Sequence, residues 1–128
     1  GAYAKRPFLK RVQATGAMVV SRMRKDAALF DVPVAAKRPC RGRPRKYGRN
    51  QISLARRGGH RHGWTTTRMV MYGKEQTVTF KTFLATSAPA DGVIGVVIVK
   101  RSAELFSHCS AEWVAFFSRT QMCRRKCL

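Results

Sequence analysis

The stretch from Val32 to Lys74 contains no acidic residue, and it constrains the fold more than any other feature of this chain. Three prolines and two glycines stand in its first half, and both residue types oppose regular helices and strands. We therefore expect residues 33–62 to form a basic loop or insertion, with a helical turn near Ile52–Arg57.

The charge of the chain points to a polyanionic partner. Lys and Arg number 26 against 6 Asp and Glu, a net charge of +20, so a compact fold repels itself. DNA would relieve this repulsion by releasing counterions, although a merely solvated basic surface is the alternative. The residues predicted to bind DNA are the cations of the loop: Lys37, Arg38, Arg41, Arg43, Arg45, Lys46, Arg49, Arg56, Arg57 and Arg61. No apolar run is long enough for a membrane helix, and the charge does not sit on one long amphipathic helix, so no membrane partner is expected.

The sharpest local motif is Arg41-Gly42-Arg43-Pro44. It resembles the core of an AT-hook, in which Gly and Pro keep the backbone thin while arginines enter the narrow minor groove of A·T tracts. A segment that only contacts phosphates explains the same residues, so both interpretations stay open. Tyr47 lies in the same loop and is a candidate for stacking on bases.

The second half of the chain alternates between apolar and polar residues, as strands do. We expect strands at residues 64–72, 76–85, 93–99 and 113–117, with turns at 73–74 and 89–92. In the second of these strands, Val78, Phe80 and Leu84 should share one face and Lys81 the other. The aromatic residues favour core packing over a stacking platform for single strands.

The first 32 residues predict a mixed segment. Pro7 suits the first turn of a helix at residues 4–15, and Gly16 suits its end. A short buried strand is expected at residues 17–20, followed by one or two helical turns within residues 24–30.

No constellation of residues predicts catalysis or a metal centre. Two-metal chemistry needs converging carboxylates, and neither Asp26 with Asp31 nor Asp91 suggests such a meeting. The four cysteines do not have the spacing of a zinc site, and we expect reduced thiols.

Five stretches, taken in order, resemble one family. They are GAYAKRPFL at residues 1–9, VVSRMRKDAALF at 19–30, RGRPRKYG at 41–48, KTFLAT at 81–86 and WVAFFS at 113–118. Together they resemble the DDE transposases of bacterial insertion sequences, in the branch with a β-rich insertion. The resemblance implies an α/β fold, namely a partial ribonuclease-H-like domain with a β-rich insertion and a basic loop.

The resemblance also implies Mg²⁺ and an Asp-Asp-Glu triad for the intact family, which cleaves and transfers DNA strands. In the family pattern the second Asp directly precedes the segment matching Gly1–Tyr3, and the Glu follows the strand matching Trp113–Phe117. No residue of this chain inherits a catalytic role, and no cofactor is expected in this chain alone. The chain therefore looks like a transposase fragment whose partners are DNA and the full-length enzyme.

The C-terminal tail departs from the family after Ser118. The family continues with a Thr-Asp-Pro-like turn and acidic helix-forming residues, whereas residues 119–128 are basic and carry two cysteines. One permitted choice of codons yields the family-like peptide in the neighbouring frame. A one-base frameshift near Ser118 is therefore one hypothesis, and a native basic tail is the other.

These inferences give four regions and a choice of functions. Residues 1–32 are expected to belong to the ribonuclease-H-like core, 33–62 to the basic loop, 63–118 to the β-rich insertion and return strand, and 119–128 to the atypical tail. A small stand-alone nucleic-acid-binding protein, AT-hook-like or ribosome-associated, is the alternative to the transposase fragment. A third hypothesis is a regulatory fragment that binds transposon ends. A bacterial cytoplasmic location at the nucleoid would suit each DNA-binding role.

Overall fold

Antiparallel strands are the main regular structure in the described part of this protein. The computed structural model describes residues 5–35, 37–38, 41–102, 105–106 and 111–119. Its elements in chain order are α1 (Arg6–Ala14), β1 (Val19–Met23), β2 (Leu29–Phe30), β3 (Gln51–Ile52), α2 (Leu54–Gly59), β4 (Thr65–Met71), β5 (Lys74–Ser87), β6 (Gly92–Lys100) and β7 (Trp113–Arg119). Of the described residues, 43% lie in strands and 14% in helices.

The strands form one curled, half-barrel sheet. Its order is β1-β7-β6-β5-β2-β3, and β4 pairs with β5 outside this path. The long strand β5 organises the sheet, because Phe80 pairs with Thr65 of β4 and with Val99 of β6. β4 and β6 therefore lie on opposite sides of β5, and β2 joins the β4 side further along, through Phe30 and Thr86.

The expected α/β fold, a partial ribonuclease-H-like domain, is wrong. Every strand pair in the described ranges is antiparallel. An α/β sheet instead needs parallel strands joined by crossover segments of a dozen or more residues. Here short turns join β4 to β5 and β5 to β6, so successive strands reverse direction and pair directly. The chain is mostly β, and the described helices α1 and α2 have 9 and 6 residues.

Several individual elements were predicted correctly. The helix at residues 4–15 is confirmed as α1, apart from residue 4, which lies outside the described residues. The four strands of the second half are confirmed as β4, β5, β6 and β7. The first hairpin turns at Tyr72 and Gly73, with φ of 53° and 75°. Two successive positive φ values are typical of a type I′ hairpin, and glycine adopts a positive φ without strain.

Other local predictions were wrong or incomplete. The helical turns expected within residues 24–30 are absent: a turn closed by Ala27 N–H on the carbonyl of Arg24 leads into β2. Leu29 of β2 is fully buried and pairs with Ile52, so burial between strands overrides any local helical preference. β3 was not predicted, whereas the helical turn near residues 52–57 is confirmed as α2.

The core lies between the sheet and the two helices. Its buried side chains include Leu9, Leu29, Leu54, Ile94, Val96, Ile98, Trp113 and Phe117. The core interpretation of the aromatic residues is confirmed for Trp113 and Phe117, which are 8% and 4% exposed. Along β5 the face prediction fails, because Leu84 is 58% exposed while Lys81 is only 7% exposed.

Candidate nucleic-acid interface

The ten cations predicted to bind DNA are all exposed. Arg56 and Arg57 lie on α2. The others lie in backbone without helix or strand: Lys37, Arg38, Arg41, Arg43, Arg45, Lys46, Arg49 and Arg61. The structure thus presents them to solvent, as a surface that binds the phosphates of DNA requires.

Most of these cations sit on a loop with a defined base, which we call the basic arm (residues 31–50). The arm leaves the sheet at β2 and returns at β3, and the two strands pair through Leu29 with Ile52 and Phe30 with Gln51. Asp31 continues this base by donating its backbone N–H to the carbonyl of Asn50 at 2.9 Å. The arm therefore starts and ends at one fixed point of the sheet.

A second contact fastens the returning end of the arm. The backbone N–H of Gly48 donates to the carbonyl of Asp31 at 2.8 Å. A Cβ at Gly48 would collide with that same carbonyl, so only glycine permits the approach. The hydroxyl of Thr86 on β5 also donates to this carbonyl, at 2.9 Å. Beside it, the ring of Tyr47 packs against Phe30 with centroids 6.4 Å apart, so Tyr47 is half-buried at the base of the arm.

The tip of the arm, residues 41–46, is exposed throughout. Gly42 has a φ of 111°, a conformation that glycine adopts readily, and nothing lies within 4 Å of the position of an added Cβ. Pro44 fixes its own φ and keeps Arg43 extended. The tip is thus a thin, irregular segment whose arginines face solvent.

At the β5–β6 turn, the carboxylate of Asp91 pairs with two cations and is affected by the charge of a third. Asp91 Oδ1 accepts a hydrogen bond from Lys46 Nζ of the arm and lies 3.8 Å from Arg6 Nη2 at the start of α1. The hydrogen bond from Lys46 holds the pKa of Asp91 below its ordinary value, against a smaller opposing effect of desolvation. The positive charges of Lys46, Arg6 and Arg119 lower this pKa further. Arg6 and Arg119 were not among the predicted site residues, because they are far from the arm in sequence.

A buried lysine fastens α2 to the sheet. Lys81 Nζ on β5 donates to the carbonyls of Arg57 and His60, at 2.8 and 2.7 Å. These carbonyls lie at the C-terminal end of α2, where the helix dipole favours a cation. The ammonium also lies 4.6 Å from the ring centroid of Trp64, whose Nε1 donates to the carbonyl of His60 at 2.8 Å. Strand alternation placed Lys81 on the polar face, and no sequence signal marked it as buried.

The clamp at Lys81 positions the cations of α2. Arg57 projects over the ring of Phe83 at 4.6 Å, so part of its charge is engaged with the sheet. Arg61 follows the helix and lines a cleft of about 380 Å³ together with Lys100, Trp64 and Trp113. α2 therefore extends the basic surface from the arm onto the body of the sheet.

The structure offers no metal centre within its described residues. No group of three or more His, Cys, Asp or Glu side chains is close enough there to hold an ion. Asp26 pairs with Arg24 at 2.8 Å, and Asp91 accepts the hydrogen bond from Lys46. The acidic side chains of the described residues do not fit the Mg²⁺ that the family resemblance implies. The four cysteines lie outside the described residues, and so does the tail beyond Arg119.

Comparison with protein-family models gave no match, and neither curated proteins nor solved structures gave one. In the described part of the chain, no helix is long and apolar enough to cross a membrane.

Proposed function

We propose that this chain binds duplex DNA through the basic arm and α2, as a piece of an insertion-sequence transposase that carries no Asp-Asp-Glu triad of its own. One observation carries the DNA-binding part. All ten predicted cations are exposed, and the segment that bears most of them is anchored to the sheet at both ends. An anchored basic segment loses less conformational entropy on binding than a free tail does.

The transposase part of the proposal rests on the five ordered stretches of sequence. Four of them lie wholly or partly in strands or in the arm, at residues 19–30, 41–48, 81–86 and 113–118. Within this proposal the partners are DNA and full-length transposase, and the location is the bacterial nucleoid. We expect no Mg²⁺-dependent nicking by this chain alone. Robust nicking of plasmid DNA by the pure protein, abolished by chelation, would contradict this expectation.

The arm is tested by the salt dependence of DNA binding. Each phosphate contact on duplex DNA contributes about 0.9 to the slope of log K against log salt concentration. Replacing Arg41, Arg43 and Arg45 together with Gln should therefore lower the slope by up to about 2.7. Fluorescence anisotropy with a labelled duplex of about 20 base pairs, at salt between about 50 and 200 mM, measures this slope.

A matched variant separates the arm from net charge. Replacing Lys10, Arg68 and Lys74 with Gln also removes three positive charges, from exposed positions on α1 and the β4–β5 hairpin. We expect its slope to stay close to that of the unmodified protein. Equal slopes for the two triple variants would mean that the arm has no special role.

Recognition of the A·T minor groove is a finer proposal for the tip of the arm. Arg41 and Arg43 flank a glycine in open space, as a segment entering a narrow groove requires. Duplexes of A·T, G·C and inosine·C pairs test it, because inosine·C lacks the amino donor that marks G·C in the minor groove. Minor-groove recognition predicts that inosine·C behaves like A·T. Equal binding to all three duplexes would mean that the tip contacts only the phosphates.

The stand-alone alternative is favoured by one structural observation. The first described strand, β1, pairs with the last, β7, in a single antiparallel sheet, which suits a small independent nucleic-acid-binding protein. Translating the surrounding DNA in all three frames distinguishes the two proposals. Upstream Asp-containing sequence and a downstream Glu-bearing helix in a shifted frame support the transposase. A start codon beside Gly1 without such remnants supports the stand-alone protein.

A further inference from the structure

We propose that Arg6, Lys46 and Arg119 form a phosphate-binding site, and that Asp91 occupies this site as an internal competitor in the DNA-free protein. This inference rests on the proposed DNA-binding function and extends its surface beyond the basic arm. The three cations come from α1, the arm and the end of β7, and the β5–β6 turn brings them together.

The geometry places two of the cations on one carboxylate oxygen and the third beside the next residue of the same turn. Lys46 Nζ donates to Asp91 Oδ1, and Arg6 Nη2 lies 3.8 Å from that same oxygen. Arg119 Nη2 lies 3.6 Å from the position that a Cβ on Gly92 would take, next to the carboxylate in sequence. Arg119 Nη1 is buried and has no hydrogen-bond partner within the described ranges. The cluster thus holds a donor that the carboxylate does not satisfy.

The charges at this corner favour a phosphate over the carboxylate. Two cations pair with the carboxylate of Asp91 and the charge of a third, Arg119, also acts on it, so the cluster carries a net charge of +2. A phosphodiester group carries one negative charge on two free oxygens, each of which can accept hydrogen bonds from Arg or Lys. A phosphodiester could therefore accept hydrogen bonds from several of these donors at once, whereas Lys46 and Arg6 share a single oxygen of Asp91.

Asp91 is able to give up its place. Its side chain is 37% exposed, and those of Arg6 and Lys46 are 61% and 45% exposed. Ion pairs this open to solvent contribute little to stability, so a phosphate can displace the carboxylate without disturbing the sheet. Displacement frees Lys46 for DNA, whereas the ion pair holds this part of the arm against the β5–β6 turn.

The variant Asp91→Asn tests this competition. Removing the competing charge should tighten duplex binding several-fold and steepen the salt slope by about 0.9 for each additional phosphate that the protein neutralises. The matched control is Asp26→Asn, which removes an exposed carboxylate paired with Arg24 at 2.8 Å and changes the net charge equally. We expect the control to change affinity much less and to leave the slope unchanged. Equal effects of the two variants would overturn the proposal.

A double-mutant cycle with Lys46→Gln identifies the route of the effect. If Asp91 acts by occupying Lys46, most of the tighter binding caused by Asp91→Asn disappears in the Lys46→Gln background. An effect of the same size in both backgrounds would overturn the competition. Arg119→Gln provides a variant that leaves Asp91 intact, and it should lower the slope by about 0.9. An unchanged slope would remove Arg119 from the site.

The outcomes also separate this site from the proposed function. If the triple variant of the arm tip lowers the slope but Asp91→Asn matches its control, the arm binds DNA and the phosphate site is wrong. If the unmodified protein shows no salt-dependent binding of duplex DNA, both proposals fail. Far-ultraviolet circular dichroism of each variant establishes that the sheet is retained.

Discussion

Two adjacent glycines of α2 allow a direct test of how the helix packs on the sheet. A Cβ at Gly58 would lie 2.5 Å from both Cε2 and Nε1 of Trp113, and 2.9 Å from its Cδ1. Nothing lies within 4 Å of a Cβ at Gly59. Trp113 is 8% exposed and is held in β7 by pairing with Lys100, so its ring has little room to move.

The two Gly→Ala substitutions should therefore have opposite effects on stability. Replacing glycine with alanine inside a helix stabilises it by about 0.5–1 kcal/mol. At Gly58 this stabilisation is outweighed by overpacking, which typically costs about 1–3 kcal/mol when neighbours cannot shift. We expect a net loss of about 1–2 kcal/mol for Gly58→Ala, whereas Gly59→Ala, at the last residue of α2, should stabilise the fold by about 0.5 kcal/mol or less.

Urea unfolding followed by tryptophan fluorescence measures both effects, because Trp64 and Trp113 lie beside α2. Salt concentration is held fixed, since a chain with a net charge of +20 responds to screening. Urea midpoints are compared between variants whose unfolding free energy has the same slope against urea concentration, because that slope reports the surface exposed on unfolding. If both variants raise the midpoint, α2 does not rest on Trp113 and the packing described above is wrong.

Two further predictions concern charged groups of the interface. Lys81→Met should destabilise the fold by about 2 kcal/mol, because the carbonyl of Arg57 loses its charged partner. Lys100→Met, at an exposed position, should change stability by less than about 0.5 kcal/mol. Urea midpoints compare the two variants, and equal effects would show that the buried ammonium contributes nothing specific. The lowered pKa of Asp91 means that its carboxylate stabilises the fold above its ordinary pKa of about 3.9, and that this contribution is lost as pH falls through the lower folded value. Unfolding free energies between about pH 6 and 3 should therefore fall less steeply for Asp91→Asn than for the unmodified protein, and identical acid profiles would contradict this.

The strands of the second half could be predicted because their signal is local. Alternation of apolar and polar residues marks β4 to β7, and the turn at Gly73 needs only a glycine at positive φ. The exposure of the arm was also predictable, since a stretch rich in Lys and Arg without any acidic residue cannot be buried.

The sheet topology could not be predicted, because pairing joins residues that are distant in sequence. β1 pairs with β7, and the two-residue strands β2 and β3 pair with each other across the base of the arm, while β2 also pairs with β5. The face of β5 was wrong for a related reason. Alternation shows that two faces differ, but hydrogen bonds to the carbonyls of α2 hold Lys81 in a buried position.

The positions of the few acidic residues determine which cations are available to DNA. Within the described ranges, ion pairs join Asp26 to Arg24, and Asp91 to Lys46 and Arg6, while the arginines of the arm tip lie in none of them. Arg41, Arg43 and Arg45 therefore keep their full charge, whereas Lys46, the last residue of the tip, is partly neutralised by Asp91. Asp91 thus restrains the arm at Lys46 and leaves these three arginines to meet a phosphate first.

Salt acts on this protein in two opposing ways. It weakens DNA binding, because the counterions released on binding return to a more concentrated solution. It also screens the repulsion among the 26 basic residues and so stabilises the free fold. Both effects depend on net charge, so differences in slope between variants of equal net charge are the sounder measure of where the DNA lies.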